Sequence, residues 1–176
     1  MSCDHYHYRD PGTLENNNGQ VLSKEHITCG AVMVDHASDY VSNFVQTSVK
    51  GTQKLDAKHK FETLAESCGI KIRHYHADNH MLSHNLFKES CMSSRQTQSF
   101  CGANTHHQNG SAERKIRTAM SLARAMMFNT MKKWPSTVHL GFWTCDIHYA
   151  VEILNNTPKP RGFAPKEIFT GAKGDR

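Results

Sequence analysis

Between Phe61 and Asp78 the chain changes its hydrophobic period in mid-course, and that change constrains the fold more than any other feature. Phe61, Leu64, Ala65 and Cys68 recur at i, i+3, i+4 and i+7, the spacing of one buried helical face, and Gly69 stands where a helix stop is expected. From Ile70 to Ala77 the rhythm is two: Ile70, Ile72, His74 and His76 alternate with Lys71, Arg73, Tyr75 and Ala77, as in a strand covered on one face. A helix passed directly to a strand predicts an α/β fold. Asp78 falls at the C-terminal end of that strand, the edge at which loops leave an open sheet and ligand sites form.

The remaining elements extend this plan. The opening segment to about Lys24 reads as a short polar start followed by the turn strings DPG and ENNNG. The β-branched runs Cys29 to Asp35 and Tyr40 to Thr47 flank the polar turn HASD and predict an antiparallel hairpin. Residues 82–94 read as a weak helix, 96–102 as a short strand and 103–111 as a polar loop. From Ala112 to about Met127 a helix carries Ile116, Met120, Ala123 and Met127 as an apolar stripe, with Glu113 in its first turn. A last helix spans about Trp143 to Leu154, and the tail NNTPKPRGFAP is punctuated by proline.

Length and charge bound the rest. At 176 residues the chain suits one ordinary domain. Its apolar runs fall short of the eighteen or so residues of a membrane span. The first residues match neither a signal nor a transit peptide, so an intracellular protein is expected. Six cysteines without a CxxC pair read as reduced thiols, and the thirteen histidines lack the closely spaced Cys/His ligands of a structural zinc site. The net charge of +5 permits nucleic-acid binding without demanding it. Placement says more: between Arg114 and Lys133 stand six basic side chains and no acid, with Arg114, Arg117, Ser121 and Arg124 on one helical face. An ordinary charged helix face is the plain alternative to a phosphate-binding one, and the stripe's position beside Glu113 favours DNA.

Three acids occupy places that this fold can bring together: Asp4 near the start, Asp78 at a strand end and Glu113 at a helix head. Two divalent cations held by carboxylate oxygens support phosphoryl transfer. Sixteen acids offer many triples, however, and an acid in a first helical turn is common for dipole reasons. Asp35 competes with Asp4 for the first place.

The strings around these acids carry more. AVMVDHASDYV (31–41), KIRHYHADN (71–79), HHQNGSAERKIRT (106–118) and LARAMM (122–127) closely resemble the integrase catalytic core of copia-type retrotransposons, nearest to diatom and fungal elements. The tryptophan-centred helix, NNTP and PKEIFTG extend the resemblance over almost the whole chain. It implies an RNase H-like fold, a mixed five-stranded sheet with its first three strands antiparallel, flanked by helices. The core would occupy 1–160 and a C-terminal extension 161–176. By the same resemblance Asp4, Asp78 and Glu113 are the catalytic, metal-binding acids, taking two Mg²⁺ or Mn²⁺ ions. Asn79, His107, Gln108, Asn109, Arg114, Lys115 and Arg117 would contact nucleic acid.

The implied activity is DNA integration: metal-dependent 3′-end processing and strand transfer, by a homo-oligomer acting on element ends and target DNA in the nucleus. Neither a membrane nor a small-molecule cofactor is expected. The runner-up is a catalytically inactive, nucleic-acid-binding RNase H-like remnant of a transposon polyprotein. With only Met1, Ser2 and Cys3 ahead of Asp4, the first strand is expected to be truncated and its aspartate to lie on a fraying end.

Overall fold

A computed structural model describes residues 1–12, 26–77, 85–101, 109–160 and 162–172. Strands β1 (Ser2–Gly12), β2 (Ile27–Val34), β3 (Val41–Gln46), β4 (His74–Ala77) and β5 (Thr97–Phe100) form one sheet in the order β3-β2-β1-β4-β5. The β1–β2 and β2–β3 pairings are antiparallel, whereas β4 runs parallel to β1 and β5 parallel to β4. The α-helices among the described residues are α1 (Gly51–Ser67), α2 (Asn85–Ser93), α3 (Gly110–Lys133), α4 (Trp143–Asn156) and the short α5 (Pro165–Thr170). This is the mixed sheet with three leading antiparallel strands that the family resemblance implies. No helix among the described residues is long and apolar enough to cross a membrane.

Side chains alternate across each strand, so the sheet buries a separate apolar layer on each face. On one face Cys3, Met33, Tyr75 and Ala77 meet Ala57, Phe61 and Ala65 of α1 and Phe87 and Cys91 of α2. On the other, Tyr6, Val32 and Val34 meet Ala112, Ala119, Met120 and Ala123 of α3 and Trp143, Ile147 and Val151 of α4. Phe169 of α5 joins the first layer, stacked on Tyr40 with centroids 4.3 Å apart, which anchors the C-terminal segment to the core.

Several elements differ from the sequence reading. The polar opening is an eleven-residue strand, not a short lead-in to turns. It forms because β1 is flanked on both sides, by β2 and β4, and the neighbouring backbones supply its hydrogen bonds whatever its side chains. The string DPG ends this strand after a register shift between His7 and Gly12. There Trp143 Nε1 donates to the Asp10 carbonyl at 2.9 Å and its ring stacks on Tyr8 at 4.7 Å. Helix α1 begins ten residues before Phe61, and β4 starts only at His74.

At the β3 edge one residue's backbone is satisfied by a side chain. Val41 N–H donates to Asn155 Oδ1 at 2.9 Å and Asn155 Nδ2 donates to the Val41 carbonyl at 2.7 Å, so an amide takes the place of a further strand. The first asparagine of the NNTP string therefore has a structural function.

Candidate metal and nucleic-acid site

Asp4 lies within the paired part of β1, not on a frayed end. It stands opposite Val32, the preceding Ser2 and Cys3 are buried, and the Met1 carbonyl accepts the His76 N–H at 2.8 Å. Asp4 is half-buried, and its Oδ1 accepts the His5 N–H at 2.8 Å. By alternation it shares a face with Ser2 and Tyr6, the face that α3 covers.

The register also bears on Asp35. Val34 pairs with Ser2, so Asp35 flanks the beginning of β1, three residues from the partner of Asp4. At about 3.3 Å per residue the two carboxylates sit on levels about 10 Å apart. Cys3 pairs with Ala77, so Asp4 is level with the end of β4 from which the chain continues to Asp78. The Asp35 carboxylate is engaged locally: Oδ2 accepts the Ser38 N–H at 2.8 Å and the Ser38 hydroxyl at 2.7 Å, closing the β2–β3 turn.

Glu113 occupies the first turn of α3 and is half-buried. It shares a helical stripe with Ile116 and Met120, both packed in the second layer, so the same packing that seats α3 turns Glu113 toward the sheet. The head of α3 is tied to β1 by Asn109, whose Nδ2 donates to the Cys3 carbonyl at 3.0 Å. Asp4 and Glu113 thus belong to adjoining elements held at one end of the sheet. Asp78, Asn79, His107 and Gln108 lie outside the described residues.

The donor chemistry fits a hard cation. Asp4 and Glu113 supply carboxylate oxygens, which Mg²⁺ and Mn²⁺ prefer. No group of three His, Cys, Asp or Glu side chains converges among the described residues.

The basic residues divide by environment. Arg114, Arg117 and Arg124 are exposed along with Ser121, so the polar stripe on α3 faces outward. Lys115 is half-buried and bonds Asp39 Oδ2 at 2.9 Å, with Lys159 on the same oxygen; burial and then the nearby Arg114 charge lower its pKa. Its charge is met within the chain, tying α3 and the 157–160 segment to the β2–β3 turn. Asn109 is buried and bonded to β1, which places its side chain inside the fold.

The histidines of β4 line the same face of the sheet as Asp4. His74 Nδ1 bonds Thr97 Oγ1 and its Nε2 bonds Ser99 Oγ, each at 2.8 Å, while His76 Nδ1 bonds Ser99 Oγ at 2.7 Å and Nε2 lies 3.6 Å from Cys101 Sγ. They are sheet-surface residues in a hydroxyl-linked ladder. His36, bonded through Nε2 to Ser2 Oγ at 2.7 Å, has its pKa lowered by burial, by the N-terminal amino group and by these two neighbours. The alternation His74, His76 was visible in sequence; the parallel pairing with Thr97 and Ser99 was not.

Strand order and the two-sided helical cover define an RNase H-like α/β fold. Among solved structures the chain is similar to retroviral integrase catalytic cores. Against the HTLV-2 integrase catalytic core domain in complex with magnesium, in its trimeric form, identity is 19%, covering 96% of this chain and 93% of that chain at a TM-score of 0.61. The catalytic core domain of BIV integrase gives 16% identity, 97% and 92% coverage and a TM-score of 0.62. A chain of the simian T-cell lymphotropic virus intasome in complex with PP2A regulatory subunit B56 gamma gives 14% identity at a TM-score of 0.66. There the alignment covers 96% of this chain and 52% of that chain. At these identities the likeness is one of fold. No family model matches the sequence, and no curated protein matches it.

Proposed function

We propose that the chain is a copia-type retrotransposon integrase core that joins DNA by phosphoryl transfer, with Asp4, Asp78 and Glu113 holding two divalent cations. The observation that carries this reading is the docking of α3 on β1, which holds Glu113 at the end of the sheet where Asp4 stands and β4 leads to Asp78. The integrase-core fold of the structural neighbours supports it.

When bound, the cations supply the charge that activates an attacking oxygen and stabilises a leaving one. The protein's own work is to bind and orient. The three carboxylates, Asp4 of β1, Asp78 next after β4 in the sequence and Glu113 of α3, would serve as ligands. The outward stripe of Arg114, Arg117 and Arg124 neutralises backbone phosphates beside them, with Asn79, His107 and Gln108 as further nucleic-acid contacts. In strand transfer a 3′-hydroxyl displaces a 3′-oxygen at a target phosphodiester. One phosphodiester is broken and one formed, and the hydroxyl proton ends on the released 3′-oxygen, so no energy donor is needed. Working as a homo-oligomer in the nucleus follows from the same reading.

The test uses labelled duplex ends and a branched DNA in which a free 3′-hydroxyl adjoins a phosphodiester, so that joining can be run in reverse without end recognition. Mn²⁺-dependent product from wild type, reduced at least about a hundredfold in Glu113→Gln, is expected for loss of an essential ligand. Equal products from the two proteins, or none from either, would reject an active integrase and leave the inactive nucleic-acid-binding remnant.

A further inference from the structure

We infer that Asn109, one helical turn before Glu113, is a positioning residue that sets the spacing of the acid-bearing elements, and not a contact to nucleic acid. The inference rests on the integrase reading above and concerns how that site is assembled.

An asparagine at a helix N-cap ordinarily turns its side-chain oxygen back onto the free N–H groups of the first turn. Asn109 holds the N-cap position of α3 yet makes no such bond. Its amide is directed away from its own helix, and Nδ2 donates to the Cys3 carbonyl at 3.0 Å across a separation of 106 residues. The side chain is 1% exposed, too enclosed to serve as a surface contact.

The acceptor is placed for leverage. Alternate carbonyls of a strand point the same way. The Met1 carbonyl takes the His76 N–H at 2.8 Å, so the Cys3 carbonyl is the next one directed to the β4 side. Cys3 pairs with Ala77, the last residue of β4. Asn109 therefore adds a rung at the carboxyl end of the β1–β4 pair, immediately before Asp4. The anchor is enclosed: Cys3 is 0% exposed. From this rung α3 rises about 1.5 Å per residue, so Glu113 is displaced from it by about 6 Å along the helix. Asn109 Oδ1 is also buried and has no hydrogen-bond partner among the described residues, so the cap is given up without an equivalent described bond in return.

The experiment measures Mn²⁺ binding by paramagnetic resonance and metal-free DNA affinity by fluorescence anisotropy on the 176-residue chain. Wild type, Asn109→Ala, Asn109→Ser and Glu113→Gln are compared. Supporting groups of metal ligands are worth about 10–100-fold in metal affinity, so about tenfold weaker Mn²⁺ binding is expected in both Asn109 variants, with DNA affinity unchanged. Serine is a good N-cap but too short to reach Cys3, so Asn109→Ser protects the helix while removing the rung. Wild-type Mn²⁺ affinity in Asn109→Ser would make the residue a stability element only and overturn the inference. Weakened DNA binding with normal Mn²⁺ affinity would overturn it in favour of direct contact. If Glu113→Gln itself binds Mn²⁺ as wild type does, the integrase reading fails and this inference with it. That outcome is distinct from the other two.

Discussion

Removing the carboxylate of Glu62 should cost this fold more than any exposed ion pair could. Lys58 is 0% exposed and Glu62 15% exposed at their side chains, and Lys58 Nζ donates to Glu62 Oε2 at 2.9 Å and to Ser90 Oγ at 3.0 Å. The ammonium also lies 5.6 Å from the Tyr75 ring centroid and 5.9 Å from that of Phe87. Glu62 Oε1 accepts from the Tyr75 hydroxyl at 2.9 Å and from Gln96. In Glu62→Ala a buried ammonium keeps one hydroxyl and two ring faces. Breaking a buried pair from one side costs about 3–5 kcal/mol; the residual exposure of Glu62 argues for the lower end, about 3 kcal/mol. For a domain of this size, at about 2–4 °C per kcal/mol, Tm should fall by about 6–12 °C. Lys58→Met combined with Glu62→Gln removes both charges, and its cost should fall below that of Glu62→Ala.

The pH dependence follows from the same contacts. Burial alone pushes the Glu62 carboxyl up, but hydrogen bonds from Lys58, Gln96 and Tyr75 and the Lys58 charge outweigh it and hold the group below its ordinary 4.5. The folded state therefore binds this proton less tightly than the unfolded chain. The stabilisation is complete above pH 4.5 and is lost as pH falls through the lower folded value. Urea unfolding followed by circular dichroism from pH 7 to pH 3 should show a shallower acid decline in Glu62→Ala. A loss below about 1 kcal/mol at pH 7, the scale of surface pairs, would refute the reasoning.

Asn155→Ala should cost about 2–3 kcal/mol in chemical denaturation, because the buried Val41 N–H and carbonyl lose their partner. The uncapped β3 edge should also raise light scattering on mild heating. Gly30→Ala should destabilise by about 1–3 kcal/mol, read as a lower denaturation midpoint, since its Cβ would clash with the Tyr6 hydroxyl and ring. Arg117→Ala should weaken DNA binding evenly across sequences and lower the log–log salt slope by about one, measured by anisotropy titration; an unchanged slope would remove Arg117 from the phosphate track.

Local periodicity determined a good part of this protein. The apolar stripe of α1, the alternation through β4, the β2–β3 hairpin and both stripes of α3 were legible because each is written within one or two turns or a few strand residues. The outward row Arg114, Arg117 and Arg124 and the first-turn place of Glu113 follow from the same periodicity. What only the tertiary structure decided depends on partners distant in the chain. The polar β1 is a strand because β2 and β4 flank it. Lys58 is buried because α2 and β4 close over it, though its sequence neighbours suggest a solvated helix face. Asn109 and Asn155 sit in strings that read as loop and tail, yet each bonds backbone more than a hundred residues away. Lys115 reads as one more cation in a basic run until Asp39, 76 residues distant, is brought against it. Amphipathic period reports which face of an element is apolar; it carries no record of which remote backbone group or charge will be opposite, and that pairing distinguishes a positioning residue from a surface contact.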